Sequence, residues 1–548
     1  MTLEHIPDRA LRWTELGIGL MATAFLVGVH SMVVAHAGAL WRDEVASVNL
    51  ANLPSLQAIW SHTHLDSFPI LWPTLLHGWV SVGLGETDFG LRVLGLIFGM
   101  GVVAALWWNS RLFGYRVPLI SLALFAMSPT VFRFGDSLRA YGLTALLLLL
   151  LLGAVWKVVE DPKPRRVAIF VLLSILTVQS MYPSSMFFFA MCAGGCAVCL
   201  RHRNWRTAGI LVGTGLLCAI SLLPYLKTFA RYGEWAPLIR QSVSMDVFWG
   251  KFDQALRPDG GLGDGEWIIW LWLALFLASL GVCAYRLFGA GSSASAKQKD
   301  LALYIATTML ASVICYSLYL KVFGYVTFMW YYLLPMAILA VGFEVALQPL
   351  IHARRTARIG LLALFSGFIV WHAADIWRAA HAPLTNIDRV AATLESVSDE
   401  DDFIVLTRFH VGAVFERYYA GRAAWMTLPH SEVQHFTALD VFKQKMTEPD
   451  PIRPVLDRIT QTLQSGHRVW VVGRLLVPAP GKEIEPLPPA PAGPRGWHMA
   501  PYRSLWWAQT GSLLQARATE LRGPSAMLAG PVIENLPLMV ASGWRRVN

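Results

Sequence analysis

The sequence predicts a membrane all-α protein: a core of about eleven transmembrane helices with interfacial helices, followed by a C-terminal α/β domain. Three observations predict it. Apolar residues make up 55% of the 548 positions and charged residues only 15%, a low charge content for a water-soluble chain of this size. Apolar runs of spanning length recur through the first two thirds. After about residue 378 those runs stop and short strand-like and helix-like segments alternate.

The spans fall near 16–37, 90–109, 117–131, 141–156, 167–183, 185–200, 207–226, 267–285, 301–319, 331–349 and 359–378. The basic clusters between them are Arg9/Arg12, Arg111/Arg116, Lys157/Lys163/Arg165/Arg166, Arg201/Arg203/Arg206, Arg286/Lys297/Lys299 and Arg354/Arg355/Arg358. Placing all of them on the cytoplasmic side satisfies the positive-inside rule. The expectation is an integral plasma (inner) membrane protein, N-terminus cytoplasmic and C-terminal domain extracytoplasmic. The clustering also accounts for the net charge of +9 without nucleic acid as a partner. Phe68 to Leu84 is left out of the count, because a span there inverts every later cluster and the run holds Pro69, Pro73 and His77. It reads as an amphipathic helix at the outer interface. A cleavable leader ending at Ala35-His36-Ala37 is the alternative for the first run, which at about 20 residues is longer than a leader's usual apolar core.

The expected domains are 1–378, the membrane core with outer loops 38–89 and 227–266, and 379–548. Loop 227–266 mixes Lys227, Arg231, Arg240, Lys251 and Arg257 with four aspartates, and contains Gly260-Gly261-Leu262-Gly263, a point for movement. In the C-terminal domain, Asn386 to Val397, Val411 to Tyr419 and Pro454 to Gln464 read as helices. Asp402 to Leu406 and Val469 to Val472 read as strands. Pro478 to Pro494 is an extended proline-rich loop, and no glycine fingerprint follows either strand. All six cysteines fall within predicted spans. Cys192, Cys196 and Cys199 lie beside Gly194 and Gly195 in an apolar helix, where small residues serve helix packing.

The chemistry-bearing residues gather in loop 38–89. Asp43 and Glu44 lie just beyond the first apolar run, where ionisable groups are functional candidates by default. His62, His64 and Asp66 follow in the same loop. Asp66 is either a second carboxylate for substrate or a cap on the interfacial helix.

Trp41-Arg42-Asp43-Glu44, His64-Leu65-Asp66-Ser67-Phe68-Pro69, Gly85-Glu86-Thr87-Asp88-Phe89-Gly90-Leu91-Arg92, Ser128-Pro129 and Ser137-Leu138-Arg139-Ala140-Tyr141 occur in that order. The series, over residues 15–345, resembles the GT-C membrane glycosyltransferases, especially the protein-mannosyltransferase-like and aminoarabinose-transferase-like group (glycosyltransferase family 39-like). The chain departs from the family at Asp66-Ser67-Phe68-Pro69, with one proline fewer, and at Met329-Trp330-Tyr331-Tyr332, where an arginine–tyrosine pair is common. The donor sugar is therefore left open, and the C-terminal domain matches no known acceptor module.

The resemblance implies a GT-C fold and inverting transfer of a sugar from a polyprenyl-phosphate carrier to an acceptor hydroxyl of a lipid, glycan or protein. The reaction belongs to the outer face of the membrane, among membrane lipids. A lipid phosphate leaves readily, so the reaction needs one base and a cationic phosphate clamp. Asp43 is the expected base. Glu44 joins it if the loop is irregular, since neighbours on a regular element diverge; otherwise it is a helix-start charge. Arg139, anchored by Tyr141, is the expected clamp, with Arg92, Lys227 and Arg231 as further cations and Asp66 and His64 toward substrate. No cofactor is demanded. A divalent metal, if one took part, would draw on Asp43, Glu44 and the histidines. A transporter or flippase of lipid-linked sugars, and a non-catalytic envelope assembly protein, are the alternatives. The first calls for ionisable groups at mid-depth in the spans and internal repeats, neither evident here.

Overall fold

The computed structural model describes residues 8–66, 68–239, 244–258, 267–289, 293–324, 327–353, 355–432, 435–436, 439–479, 484, 486–487, 490–491, 493, 497–523 and 532–546. Gly260–Gly263 and much of the proline-rich loop lie outside these residues. The chain forms two compact units. One comprises residues 1–35, 67–226 and 241–381; the other comprises 36–66, 227–240 and 382–548.

The first unit is helical and belongs to an integral membrane protein. Among the described residues, nine helices are long and apolar enough to cross a membrane. They include nine of the eleven expected spans. The remaining two differ for local reasons. Pro164–Ser180 is a helix of 17 residues, at the short end of what spans a bilayer. The stretch expected at 117–131 is two pieces, Leu119–Ala126 and Pro129–Gly135. Pro129 lacks an N–H and disfavours helical backbone before it, and Ser128 is accordingly extended, at φ −111 and ψ 103. The 68–84 segment contains the helix Leu71–Trp79, nine residues long and too short to cross.

Helix starts follow the sequence. Thr87 Oγ1 accepts from Gly90 N at 3.0 Å to begin Asp88–Leu112. Ser295 and Gln298 form a capping box at the head of Ala296–Phe323. Several ionisable groups on the spans are paired. Arg358 grips both oxygens of Glu15 at 2.6 and 2.7 Å, and Glu344 accepts from Ser121 N at 2.9 Å. These ionisable groups are thus occupied in holding spans together. The three clustered cysteines sit on Ser184–Arg201, where Gly194 lies directly against Tyr304 and Thr308 of Ala296–Phe323, so the small residues do serve packing.

The second unit is an α/β layer. Strands β1 (Phe403–Leu406), β2 (Ala424–Thr427), β3 (Val469–Val472), β4 (Glu520–Arg522) and β5 (Leu538–Ser542) form one sheet in the order β2-β1-β3-β5-β4. β1 is parallel to β2 and β3, whereas β5 is antiparallel to β3 and β4. β1 and β3 are central and buried along their whole length, which is why both read as unbroken apolar runs. Helices Ile387–Val397, Gly412–Tyr418 and Arg453–Gln464 match the sequence reading, while Leu439–Lys445 and Met499–Arg517 add to it. Trp235 and Leu238, from the loop expected to hang off the membrane core, are part of this unit's hydrophobic core.

Asp402 joins β1 to β3. Buried to 1% exposure, it accepts from Arg468 N at 2.8 Å, Arg468 Nε at 3.0 Å, Trp470 Nε1 at 2.9 Å and Asp399 N at 3.1 Å. Burial alone pushes its carboxyl up, but these donors outweigh it and hold it below the ordinary range. A depressed carboxyl contributes stability above its unfolded value and loses it as pH falls through the folded one. Asp402→Asn is expected to lower unfolding stability by about 2–4 kcal/mol, because an amide cannot receive four donors. It is also expected to flatten the loss of stability below about pH 4 that the parent shows. Chemical denaturation of the two proteins across pH tests both; equal stability would remove Asp402 as the link.

Candidate functional site

Trp41 has extended backbone, and the chain turns helical at Arg42, giving the short helix Arg42–Ala51. Asp43 and Glu44 therefore occupy the first turn of a regular helix, where adjacent side chains diverge. Glu44 is fully buried and its Oε2 accepts from Trp41 N at 3.1 Å. Its carboxylate caps the helix. Asp43 keeps a side-chain exposure of 28%, with Oδ1 3.2 Å from Arg42 Nε. The sequence reading lets Glu44 join Asp43 only in an irregular loop; the segment is a regular helix with Glu44 buried and Asp43 partly exposed.

Arg42 is held from the C-terminal domain. Its Nη1 donates to His410 Nε2 at 2.6 Å, and its Nε lies 3.6 Å from Glu534 Oε1. Burial, and then the guanidinium groups of Arg42, Arg408 and Arg503, keep His410 well below the usual histidine range. A neutral imidazole accepting at Nε2 is what that hydrogen bond requires. Burial raises the Glu534 carboxyl, with Arg42 opposing the rise. The helix and the residues leading into it are tied down at two more points. Tyr418 Oη accepts from Leu40 N at 2.6 Å, and Asn49 Nδ2 donates to the His435 carbonyl at 2.8 Å. None of these contacts has a signal in the sequence, because His410, Tyr418 and Glu534 lie hundreds of positions from Asp43.

Ser47, one turn after Asp43 on the same helix face, donates to Asp66 Oδ2 at 3.2 Å. Asp66 thus lies on the Asp43 side of the helix. His62 and His64 stack at 6.4 Å, and each ring bonds to a backbone carbonyl, of Ala58 and Ser61 respectively. Burial, followed by Arg231, lowers His64. Lys227 and Arg231 are exposed on the helix Leu226–Trp235. Among the described residues, no group of three or more His, Cys, Asp or Glu side chains is arranged to hold a metal.

The other expected cations lie in the membrane unit. Ser137-Leu138-Arg139-Ala140 forms the turn between Pro129–Gly135 and the helix Tyr141–Glu160. Arg139 lies over the Phe68 ring at 4.3 Å, and that ring meets Tyr141 edge-on at 5.7 Å. Arg139, only 7% exposed, is thus packed against the Phe68-Pro69 segment. Asp136, at the head of the turn, pairs with His30 at 2.7 Å. Gly95 lets the turn approach: a Cβ there would lie 1.9 Å from the Asp136 carbonyl. Arg92, buried, is on the same face one turn earlier. The motifs Phe89-Gly90-Leu91-Arg92 and Ser137-Leu138-Arg139-Ala140-Tyr141 are therefore parts of one packed region.

No family model and no curated protein matches the chain. Among solved structures it is similar to the archaeal oligosaccharyltransferase AglB from Archaeoglobus fulgidus in complex with an inhibitory peptide and a dolichol-phosphate. The identity is 11%, over 94% of this chain and 73% of that one, with a TM-score of 0.46. It is also similar to ArnT from Cupriavidus metallidurans bound to undecaprenyl phosphate, at 11% identity over 83% of this chain and 92% of that one, with a TM-score of 0.35.

The cap makes a prediction that separates structure from chemistry at Glu44. Glutamine at this position of a capping box keeps the bond to Trp41 N, whereas alanine leaves a buried N–H unsatisfied. Thermal unfolding in detergent should show Glu44→Gln close to the parent and Glu44→Ala weaker by about 1 kcal/mol. Equal loss in both variants would mean that the charge matters rather than the cap.

Proposed function

We propose that this chain is an inverting glycosyltransferase that moves a sugar from a polyprenyl-phosphate carrier to an acceptor hydroxyl on the outer face of the membrane, with Asp43 as the base. The observation that carries the reading is the division of labour in Trp41-Arg42-Asp43-Glu44: Glu44 is spent on the helix, and Asp43 is the partly exposed carboxylate, with Arg42 3.2 Å away. A reaction with a good leaving group needs one such carboxylate, not two. The ordered motifs supply the reaction class.

In this reading an acceptor hydroxyl donates to Asp43, loses its proton as its oxygen attacks the anomeric carbon from the face opposite the phosphate, and the carrier phosphate departs with the bonding pair. Arg42, 3.2 Å from Asp43 Oδ1, fixes the direction in which the carboxylate points. Asp66, held by Ser47 on the same face, orients the acceptor. Arg139, with Phe68 and Tyr141, is the proposed rest for the carrier phosphate.

Sugar transfer by purified protein from a panel of polyprenyl-phosphate sugars, with Asp43→Asn alongside, tests the proposal. One donor should turn over, and the variant should lose roughly 100-fold or more, the scale of a missing general base. Undiminished turnover in Asp43→Asn removes Asp43 as the base. No turnover of any donor by folded protein sinks the transferase reading.

A further inference from the structure

The C-terminal sheet has a topological switch point. From β1 the chain crosses through the helix Gly412–Tyr418 to β2 on one side, then returns through Arg453–Gln464 to β3 on the other. All three strands are parallel, so their carboxyl ends lie at one edge, and the connections diverge between β1 and β3. In open α/β sheets such a divergence leaves a crevice at the strand ends, and that is where ligands bind.

The residues leaving these two strands are Thr407-Arg408 and Gly473-Arg474. Gly473 has φ +102, and a Cβ there would lie 2.2 Å from Thr407 Oγ1, so the two ends come together only because it is glycine. Trp507 Nε1, from the helix Met499–Arg517, donates to the Thr407 carbonyl at 2.6 Å, and Arg503 lies over the Trp507 ring at 4.9 Å. Arg408 Nη1 lies 4.0 Å from Glu534 Oε1, the same oxygen that faces Arg42 at 3.6 Å. Arg42 and Arg408 thereby face Glu534, with Arg42 also on the neutral His410, while Arg474 leaves β3 and Arg503 stacks on Trp507 at the same strand ends.

Among the described residues, four guanidinium groups stand there against two carboxylates, Glu534 and the Asp43 that pairs with Arg42 at 3.2 Å. Burial lowers Arg408, Glu534 offsets this, and Arg42, Arg503 and Arg474 lower it further. Arg503 is lowered by burial and by Arg42. Guanidinium groups that depress one another without enough carboxylate between them are stabilised by a multivalent anion, and their planar forks suit phosphate oxygens. Stacking on an aromatic ring occupies Arg503 on Trp507, Arg408 shares Glu534 with Arg42, and Arg474 is exposed.

We propose that the carboxyl edge of β1 and β3 is a binding site for a phosphate-bearing group, with Arg408 and Arg474 as the strand-end ligands and Arg42 and Arg503 closing it from either side. The inference goes beyond sugar transfer and stands whether or not transfer is found. The phosphate has two sources, a polyprenyl phosphate or a phosphate carried by another substrate.

The test is calorimetric titration of the full-length protein in neutral detergent with inorganic pyrophosphate, with polyprenyl phosphate and with the uncharged polyprenol. Parent, Arg408→Gln, Arg474→Ala and Arg474→Ala/Arg503→Ala are compared, each first shown to melt cooperatively. Arg474 is exposed, so its replacement leaves the fold intact even if Arg408→Gln does not. Pyrophosphate should bind the parent and weaken roughly tenfold in Arg474→Ala, and further in the double variant, with polyprenol unaffected. Parallel weakening of polyprenyl phosphate assigns the site to the lipid carrier. Weakening of pyrophosphate alone assigns it to a phosphate on the other substrate. No binding of either phosphate by the parent, or equal binding by parent and variants, overturns the proposal.

Discussion

The guanidinium of Arg42 is the interaction on which the candidate site depends. It meets Asp43, Glu534 and His410, orienting the first and setting the charge of the other two. A protonated His410 would set two cations 2.6 Å apart in a poorly hydrated place, a repulsion of several kcal/mol. The imidazole therefore stays neutral and accepts. Glu534 would be pushed further toward its neutral acid without the arginine beside it. The same residue that orients the proposed base thus sets the charge of two buried groups from another part of the chain.

A different constraint orders the membrane unit. Polar groups on the spans have no water to turn to, so each must find a protein partner. Arg358 on Glu15, Ser121 on Glu344, Asn109 on the Leu149 carbonyl and Tyr304 on the Leu152 carbonyl meet it. The turn at Asp136–Ala140 meets it by packing into the notch at Gly95, which brings a polar segment and Arg139 among apolar helices. Small residues and fixed pairs, rather than area of apolar surface, specify these contacts.

Much of this was legible in the sequence, and the exceptions have physical reasons. The long apolar runs gave nine spans within the described residues, because length and hydropathy are local properties. The central strands β1 and β3 and three helices of the α/β domain were legible from continuous or periodic apolar residues. Strand β2 was not, since its exposed and half-buried residues alternate weakly at the sheet edge, and β4 is only three residues long. In the candidate site, Asp43 stands out in the sequence because a carboxylate beside a membrane boundary is costly. Glu44 was read both ways, and only the regular helix Arg42–Ala51 decides between them. Arg408, His410 and Glu534 were missed altogether: their importance comes from spatial contact with Arg42, and a single sequence carries no trace of contacts so far apart in the chain.

That contact also explains why loop and domain form one unit. Residues 36–66 emerge from the first span and 227–240 from a later one, yet both fold with 382–548. The first is anchored through Leu40, Arg42 and Asn49, the second through Trp235 and Leu238 in the hydrophobic core. A loop of this length held only by its two ends would leave the proposed base to sample many orientations, and ordering it at the moment of reaction would cost entropy. Folding the loop onto the domain meets that cost in advance, because its partners His410 and Tyr418 follow directly on β1, a strand buried along its whole length. Whatever orders the C-terminal domain therefore orders Asp43.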